Sequence, residues 1–355
     1  MKRRILRWQS KGMTILCGAG MPEIPDPKEY TAMTKDELLL KVENLKMYFP
    51  LQKGFMSARK GFVYAVDGVS FELKRGETLG IVGESGSGKS TLAKALLHLI
   101  EPTEGTVLFE GKDISHLSYE AFRSLRKDMQ MIFQDPYGSL DPRMKIGAIV
   151  GEGLIIHGLA KGRALEERVI ALLERVGLLP DAMKRFPHEL SGGQRQRVAV
   201  ARAVALHPKL VIGDEPLSAL DVSIQAQIVN LLEDLQKELH LSYLIISHDL
   251  SVIEHMCDKV AVMYLGKIVE EGGREEFYRS PLHPYSQSLL ASVPLLDPDI
   301  PKKRVVLSGD IPSPINPPSG CRFHPRCPEK TDLCQNQEPV FRSVGERHRV
   351  ACHVR

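Results

Sequence analysis

The 355-residue sequence predicts an α/β fold with a mainly parallel core sheet, an antiparallel part at the front and a small Pro/Cys-rich C-terminal extension. Three observations carry that reading. Short apolar segments alternate with helical ones, as in proteins built on a parallel sheet. A glycine-rich loop, GESGSGKST, follows one apolar segment and opens a helix. A second apolar segment, LVIGDEP, ends in two adjacent acids.

Residues 1–36 read as a disordered leader. Their basic start and brief apolar patch, broken by glycine, make a poor secretory signal. Met33 opens MTKDELLLKVENLKMYF, where strand-like alternation begins, and offers an alternative start that the mass of the native protein would check. VYAVDGVSFEL alternates apolar and polar residues as a half-buried strand does, and ETLGIVG is a short apolar strand. STLAKALLHLI has helical spacing, with Leu92, Leu96 and Leu99 on one face. EGTVLFEG and QMIFQD read as strands, and residues 163–176 and 223–239 as amphipathic helices. KLVIGDE and YLIISHD read as buried strands, and KVAVMYLGKIVEEG as a hairpin turning at Gly266. From Ser280 prolines recur (SPLHPY, VPLLDPDIP, IPSPINPPSG), which helix interiors and central strands do not accept. That stretch predicts an extended arm carrying a cysteine module away from the phosphate site.

Composition excludes some roles. Lys+Arg 47 against Asp+Glu 44 is too balanced for a nucleic-acid binder. No uncharged apolar run approaches the roughly 20 residues that span a bilayer, so a membrane role requires a partner subunit.

In GESGSGKST, Gly83, Glu84, Ser85, Gly86, Ser87, Gly88, Lys89, Ser90 and Thr91 fit the G-x-x-x-x-G-K-[ST] pattern in its required strand–loop–helix setting. The glycines let successive backbone N–H groups face one concavity, and the helix N-terminus adds partial positive charge. Lys89 is expected on the β- and γ-phosphates and the Ser90 hydroxyl on Mg²⁺. The alternative is an ordinary glycine-rich turn. An apolar strand ending in Asp214 and Glu215 delivers both acids to the ligand-binding edge of an open sheet. Asp214 suits Mg²⁺ held through water, and Glu215 suits a general base for the attacking water. His248 ends the next strand. Alone it would read as a structural imidazole, but beside Glu215 it suits the γ-phosphate and the attacking water.

LSGGQRQR places Ser191, Gly192, Gly193 and Gln194 at a second helix N-terminus, which general physics reads as a well-capped helix. Together with the cradle, Gln134, LVIGDE, SALD at 218–221 and His248 in this order, it makes the chain resemble an ABC transporter ATPase subunit from about residue 40 onward. The resemblance implies an ABC-type nucleotide-binding domain over 37–279, with its helical subdomain at about 135–205. It also implies a head-to-tail ATPase pair, in which Ser191 and Gly193 meet the ATP of the partner. Gln134 would stand at a mobile loop that senses nucleotide and Mg²⁺ and meets the membrane subunit, and Asp221 would line the dimer seam. An aromatic is expected on adenine, with Tyr64 and Phe62 as candidates. Leu217 departs from the small residue common in such proteins, without removing any reacting group.

The tail, residues 280–355, resembles the C-terminal extension of the oligopeptide/dipeptide branch, and the chain resembles the second of its two ATPases. The resemblance implies a second, non-identical ATPase, two transmembrane permease subunits and an extracytoplasmic solute-binding protein. It implies a peripheral position on the cytoplasmic face of a bacterial membrane. The cargo would be di- or oligopeptides, or a related solute such as nickel. Competing readings are a soluble ABC ATPase not coupled to transport and a metal-sensing regulator. Cys321, Cys327, Cys334 and Cys352 are spaced C-x5-C-x6-C-x17-C. A cytosolic chain argues against disulfides. Four thiolates suit Zn²⁺ or an iron–sulfur cluster, and the spacing matches neither common pattern, so a site without metal also stands. The resemblance favours a 4Fe–4S cluster. His324, His348 and His353 are alternative ligands. Cys257 reads as buried packing, and Cys17 stands apart.

Overall fold

The computed structural model describes residues 37–51, 61–292, 309–345 and 347–355. The leader, with Cys17 and Met33, lies outside the described residues.

Strands β1 (Leu38–Pro50) and β2 (Phe62–Lys74) pair antiparallel. With β4 (Glu104–Phe109) and β5 (Lys112–Asp113) they form a four-stranded sheet in the order β2-β1-β4-β5. The second sheet contains β3 (Thr78–Val82), β6 (Met129–Ile132), β7 (Leu210–Asp214), β8 (Ser242–Ser247) and β9 (Lys259–Tyr264), together with β10 (Lys267–Gly273), β11 (Arg342–Gly345) and β12 (His348–Val350). Its order is β11-β12-β10-β9-β3-β8-β7-β6. The run β9-β3-β8-β7-β6 is parallel, and β10, β12 and β11 extend it antiparallel.

The parallel strands are apolar because both faces are covered. Leu244 and Ile246 of β8 join the core beneath the antiparallel sheet, which also holds Leu92 and Leu96 of the helix Lys89–Leu96. Tyr243 and Ile245 face the other way, into the core that includes Val150, Leu173 and Val200 from the helices Ile146–Ile156, Gly162–Arg175 and Gly192–Val204. Among the described residues no helix is long and apolar enough to cross a membrane.

The hairpin turn sits where it was expected. Leu265 and Gly266 both have positive φ (44° and 85°) between β9 and β10, the backbone that two-residue hairpins favour. Three expectations are corrected. The helix after the glycine loop ends at Leu96, so Leu99 is 49% exposed and not on its buried face. The proline-rich arm contains a helix, Pro284–Ser292, which is tolerated because Pro284 stands at its first position, where no intrahelical N–H is needed. The C-terminal segment does not lead away from the core. Strand β12 pairs with β10 and continues the main sheet.

That junction is polar. Glu270 of β10, 0% exposed, accepts from the backbone N–H of Leu282 (2.8 Å) and His283 (2.7 Å) and lies 2.7 Å from His348 Nε2 on β12. Burial alone would raise its carboxyl pKa, but His348 and these donors hold it below the ordinary glutamate value.

Candidate nucleotide site

Four neighbouring parallel strands, β3, β8, β7 and β6, end at the same edge of the sheet. The glycine loop follows β3, His248 follows β8, Asp214 closes β7 with Glu215 after it, and Gln134 follows β6 by two residues. The sheet thus gathers groups from widely separated parts of the sequence, at the edge where open α/β folds bind ligands.

The loop backbone is shaped by close approach. Gly88, the N-cap of the Lys89–Leu96 helix, has φ +106°, and a Cβ there would lie 2.0 Å from Ala65 O. At Gly83 a Cβ would lie 2.1 Å from Met263 O. Lys89 is buried, and its Nζ donates to Gly83 O (2.7 Å) and Glu84 O (2.9 Å), with Ser87 Oγ at 3.4 Å. Burial lowers its pKa, opposed by the charges of Glu215, Asp214 and Glu84.

The cavity beside the loop, about 570 Å³, is lined by Ser85, Gly86, Gly88, Lys89, Ser90 and Thr91 and by Gln134, Glu215 and His248. Ser90 Oγ donates to Asp214 Oδ1 at 2.8 Å. Burial raises the Asp214 pKa, with the Ser90 bond opposing and the Glu215 charge adding to the rise. Gln134 Nε2 donates to Glu215 Oε2 at 3.0 Å, and His248 Nδ1 lies 3.2 Å from the same oxygen. Glu215 has φ 46°, uncommon for a non-glycine residue. Its N–H donates to Ile246 O of β8 at 2.8 Å, which fixes the acid between the neighbouring strands. The hydroxyl, carboxylate and amide oxygens of Ser90, Asp214 and Gln134 are the hard donors that suit Mg²⁺. Leu217 is buried in the core, so the unusual residue beside the acid pair serves packing.

Other expected residues stand apart. Ser191 caps the Gly192–Val204 helix: its Oγ accepts from Gln194 N–H (3.3 Å), while its own N–H donates to Gln194 Oε1 (3.0 Å). Ser191 is exposed, and Gly192, Gly193 and Gln194 are partly so. Asp221 is also exposed, at the start of the Val222–Leu239 helix. None of the described residues lining the cavity is one of these five. Tyr64 does not line it either. Val63 and Ala65 do, and strand alternation turns Tyr64 to the other face, where its ring packs edge-on against Tyr48 at 4.8 Å. Phe62 also packs on Tyr48. Phe49, which the sequence did not single out, is paired with Val63 in the β1–β2 register. The pair therefore shares one strand face, and Phe49 is exposed, although it too is not among the residues lining the cavity. Once strand pairing is set, its place opposite Val63 is the signal.

Reasoning from the arm also missed the tail's return to this site. Pro314 lines the cavity and accepts from Tyr64 N–H at 3.0 Å. Arg326 forms a two-pronged pair with Glu84, NH1 to Oε2 at 2.7 Å and NH2 to Oε1 at 3.1 Å.

The four tail cysteines converge in one lobe. Burial raises Cys321 to about 11 and also raises Cys327, and the neighbouring thiols add to both shifts. Each candidate histidine has one ring nitrogen engaged: His324 Nδ1 with Cys321 O, His348 Nε2 with Glu270 and His353 Nε2 with Gln337 O. Among the described residues no three His, Cys, Asp or Glu side chains stand together as a metal cage. The thiols as arranged do not form a ready metal site. Cys257 is fully buried, as packing predicts.

Comparison with known proteins identifies the family. A family described as "ABC transporter" matches residues 66–218, and one described as "Oligopeptide/dipeptide transporter, C-terminal region" matches 269–334. The oligopeptide transport ATP-binding protein AppF of Bacillus subtilis is 53% identical over 90% of this chain and 98% of its own length. The dipeptide transport ATP-binding protein DppF of Haemophilus influenzae is 48% identical over 88% of this chain and 96% of its own. Among solved structures, cbiO1 from Clostridium perfringens, part of the ABC transporter complex cbiONQ, superposes with a TM-score of 0.59 at 30% identity, covering 69% of this chain and 92% of that one. The ADP- and Pi-bound dimer of the cassette MJ0796 gives 0.59 at 28% identity, covering 66% and 99%. Fold and site together define an ABC-type ATPase. Within that class the chain belongs to the ATP-binding subunits of the oligopeptide/dipeptide transporter family.

Proposed function

We propose that this ATPase drives uptake of di- or oligopeptides, seated on the cytoplasmic face of a bacterial membrane against two permease subunits. Its ATPase partner is a second, non-identical subunit, and an extracytoplasmic binding protein delivers the solute. The carrying observation is the single Glu215 oxygen that accepts from Gln134 and lies 3.2 Å from His248 Nδ1 beside the phosphate loop. In this reading the loop N–H groups and Lys89 bind the phosphates, and Ser90, Asp214 and Gln134 hold Mg²⁺, which neutralises phosphate charge. Glu215 takes the proton from the attacking water, and His248 hydrogen-bonds the γ-phosphate. Ser191 and Asp221, exposed, and Gly193, partly exposed, all away from their own cavity, serve the ATP of the partner. Phe49, in place of Tyr64, stacks on adenine.

The test is reconstitution. The chain, co-purified with its partner subunits in vesicles, should accumulate labelled di- or oligopeptide only with ATP inside the cytoplasmic-side compartment. ATP hydrolysis that no peptide stimulates, with no peptide uptake, would overturn the cargo assignment.

We also propose that the four-cysteine lobe takes up a soft metal centre, an iron–sulfur cluster in the first place and zinc in the second. Four thiols in one lobe support this. Uptake requires them to draw together and lose protons, so it weakens as pH falls. Iron, sulfide and zinc analysis of anaerobically purified protein checks it, and absence of all three refutes it.

A further inference from the structure

We propose that the C-terminal extension is a working wall of the nucleotide site, in which Arg326 positions and neutralises Glu84 so that ATP binding and docking of the extension are coupled.

The argument starts from a charge problem. The glycine loop gathers N–H groups for an anion, yet its second residue, Glu84, is itself an anion. Its carboxylate is near enough to Lys89 to act on that ammonium group. Left unpaired, it would repel the phosphates the loop receives. The remedy comes from 242 positions further along the chain, where Arg326 meets both Glu84 oxygens. The Arg326 side chain is only 7% exposed, and its guanidinium lies 5.9 Å from the centre of the Tyr264 ring. A planar fork on a carboxylate in such a place fixes orientation as well as charge.

Three further contacts make the wall rigid. Tyr285 Oη accepts from the Glu84 N–H at 2.8 Å. Phe323 of the extension packs edge-on against Tyr264 at 5.2 Å and lies 5.3 Å from Tyr285. Arg322 donates to Leu265 O in the β9–β10 turn and pairs with Asp67 of β2. Pro314, from the same extension, lines the cavity itself. Two separate parts of the extension therefore meet the cradle, one through charge and one through shape. Because linkage is reciprocal, an extension that favours ATP must be held more firmly when ATP is bound.

The experiment uses the full chain and a slowly hydrolysed ATP analogue with Mg²⁺. Arg326→Ala should weaken binding roughly tenfold, within the usual range of coupling between sites. In the assembled ATPase it should raise KM for ATP while kcat at saturation changes far less. Arg326→Lys should recover part of the affinity. The decisive variant is Arg326→Ala with Glu84→Gln, which removes the orphaned charge and should bring affinity back toward wild type. Wild-type affinity in Arg326→Ala would overturn the proposal. So would a loss that Glu84→Gln does not relieve, since that marks a structural role alone. If Arg326→Ala does not fold, hydrogen exchange on the wild-type chain decides: the analogue should slow exchange in residues 309–336, and unchanged exchange there refutes the coupling.

Discussion

Two helices of this protein begin in glycine-rich turns, and their N-termini are built in opposite ways. The Lys89–Leu96 helix starts at a glycine with positive φ and has no side-chain cap, so its first N–H groups are left for a ligand. Charged and polar groups from β6, β7 and β8 surround it. The Gly192–Val204 helix starts at Ser191 with a reciprocal cap to Gln194, and no described residue of the acid–histidine cluster joins it. The first opens, uncapped, onto the cavity lined by Lys89, Glu215 and His248. The second is a self-capped helix end away from that cavity, which under the proposed function meets the ATP of the partner. The hydroxyl of Ser191 accepts from Gln194 and keeps its own hydrogen to donate, so capping and ligand contact are compatible.

The contrast breaks most readily at Glu215. Glu215→Gln keeps the bonding shape but removes the base, and steady-state turnover of the assembled ATPase should fall by about 10² to 10⁴ with ATP still bound. Wild-type turnover would move the base elsewhere.

At the β10–β12 junction, Glu270→Ala leaves His348 and the backbone N–H groups of Leu282 and His283 without their acceptor. It should cost about 3–5 kcal/mol, read as a lower melting temperature and faster exchange in β12. The sign with pH follows from the lowered Glu270 pKa. Its contribution is fully present above the ordinary value of 4.5 and is lost as pH falls through the lowered folded value. A wild-type acid melt should therefore lose more stability over that window than the variant does.

Lys89→Ala removes a charged donor from the cradle and should weaken ATP binding roughly 10- to 100-fold, as loss of a charge-assisted bond implies. Calorimetry on the chain alone checks this. Ser191→Ala should have the smallest effect, lowering stability by about 1 kcal/mol through the lost cap. It should also slow the assembled ATPase while changing ATP affinity of the isolated chain far less than Lys89→Ala does. An equal loss of affinity in the isolated chain would erase the distinction between the two helices.

Much of the site was legible because its chemistry is local. GESGSGKST needs its glycines where Ala65 and Met263 approach the loop, and LVIGDEP carries its acids at the end of an apolar strand. Which aromatic faces the cavity side could not be read from the sequence, because the face of a strand depends on register. Tyr64 and Val63 are neighbours in sequence and point to opposite sides, and only pairing with β1 puts Phe49 opposite Val63. The arm was misread because proline density speaks to local backbone and not to destination. It excludes long helices and central strands, yet permits a helix beginning at Pro284 and a return to the sheet.

The sequence by itself determined the class of fold, the phosphate loop, the acid pair and the existence of a separate cysteine-bearing tail. Each of these is a matter of spacing along the chain. Tertiary structure alone decided that the tail comes back to the cradle, that Arg326 meets Glu84, and that Ser191 stands away from the site its own chain builds. Those are pairings of residues far apart in sequence. They depend on the order in which strands join the sheet and on which faces bury their apolar surface, and no local pattern encodes that order.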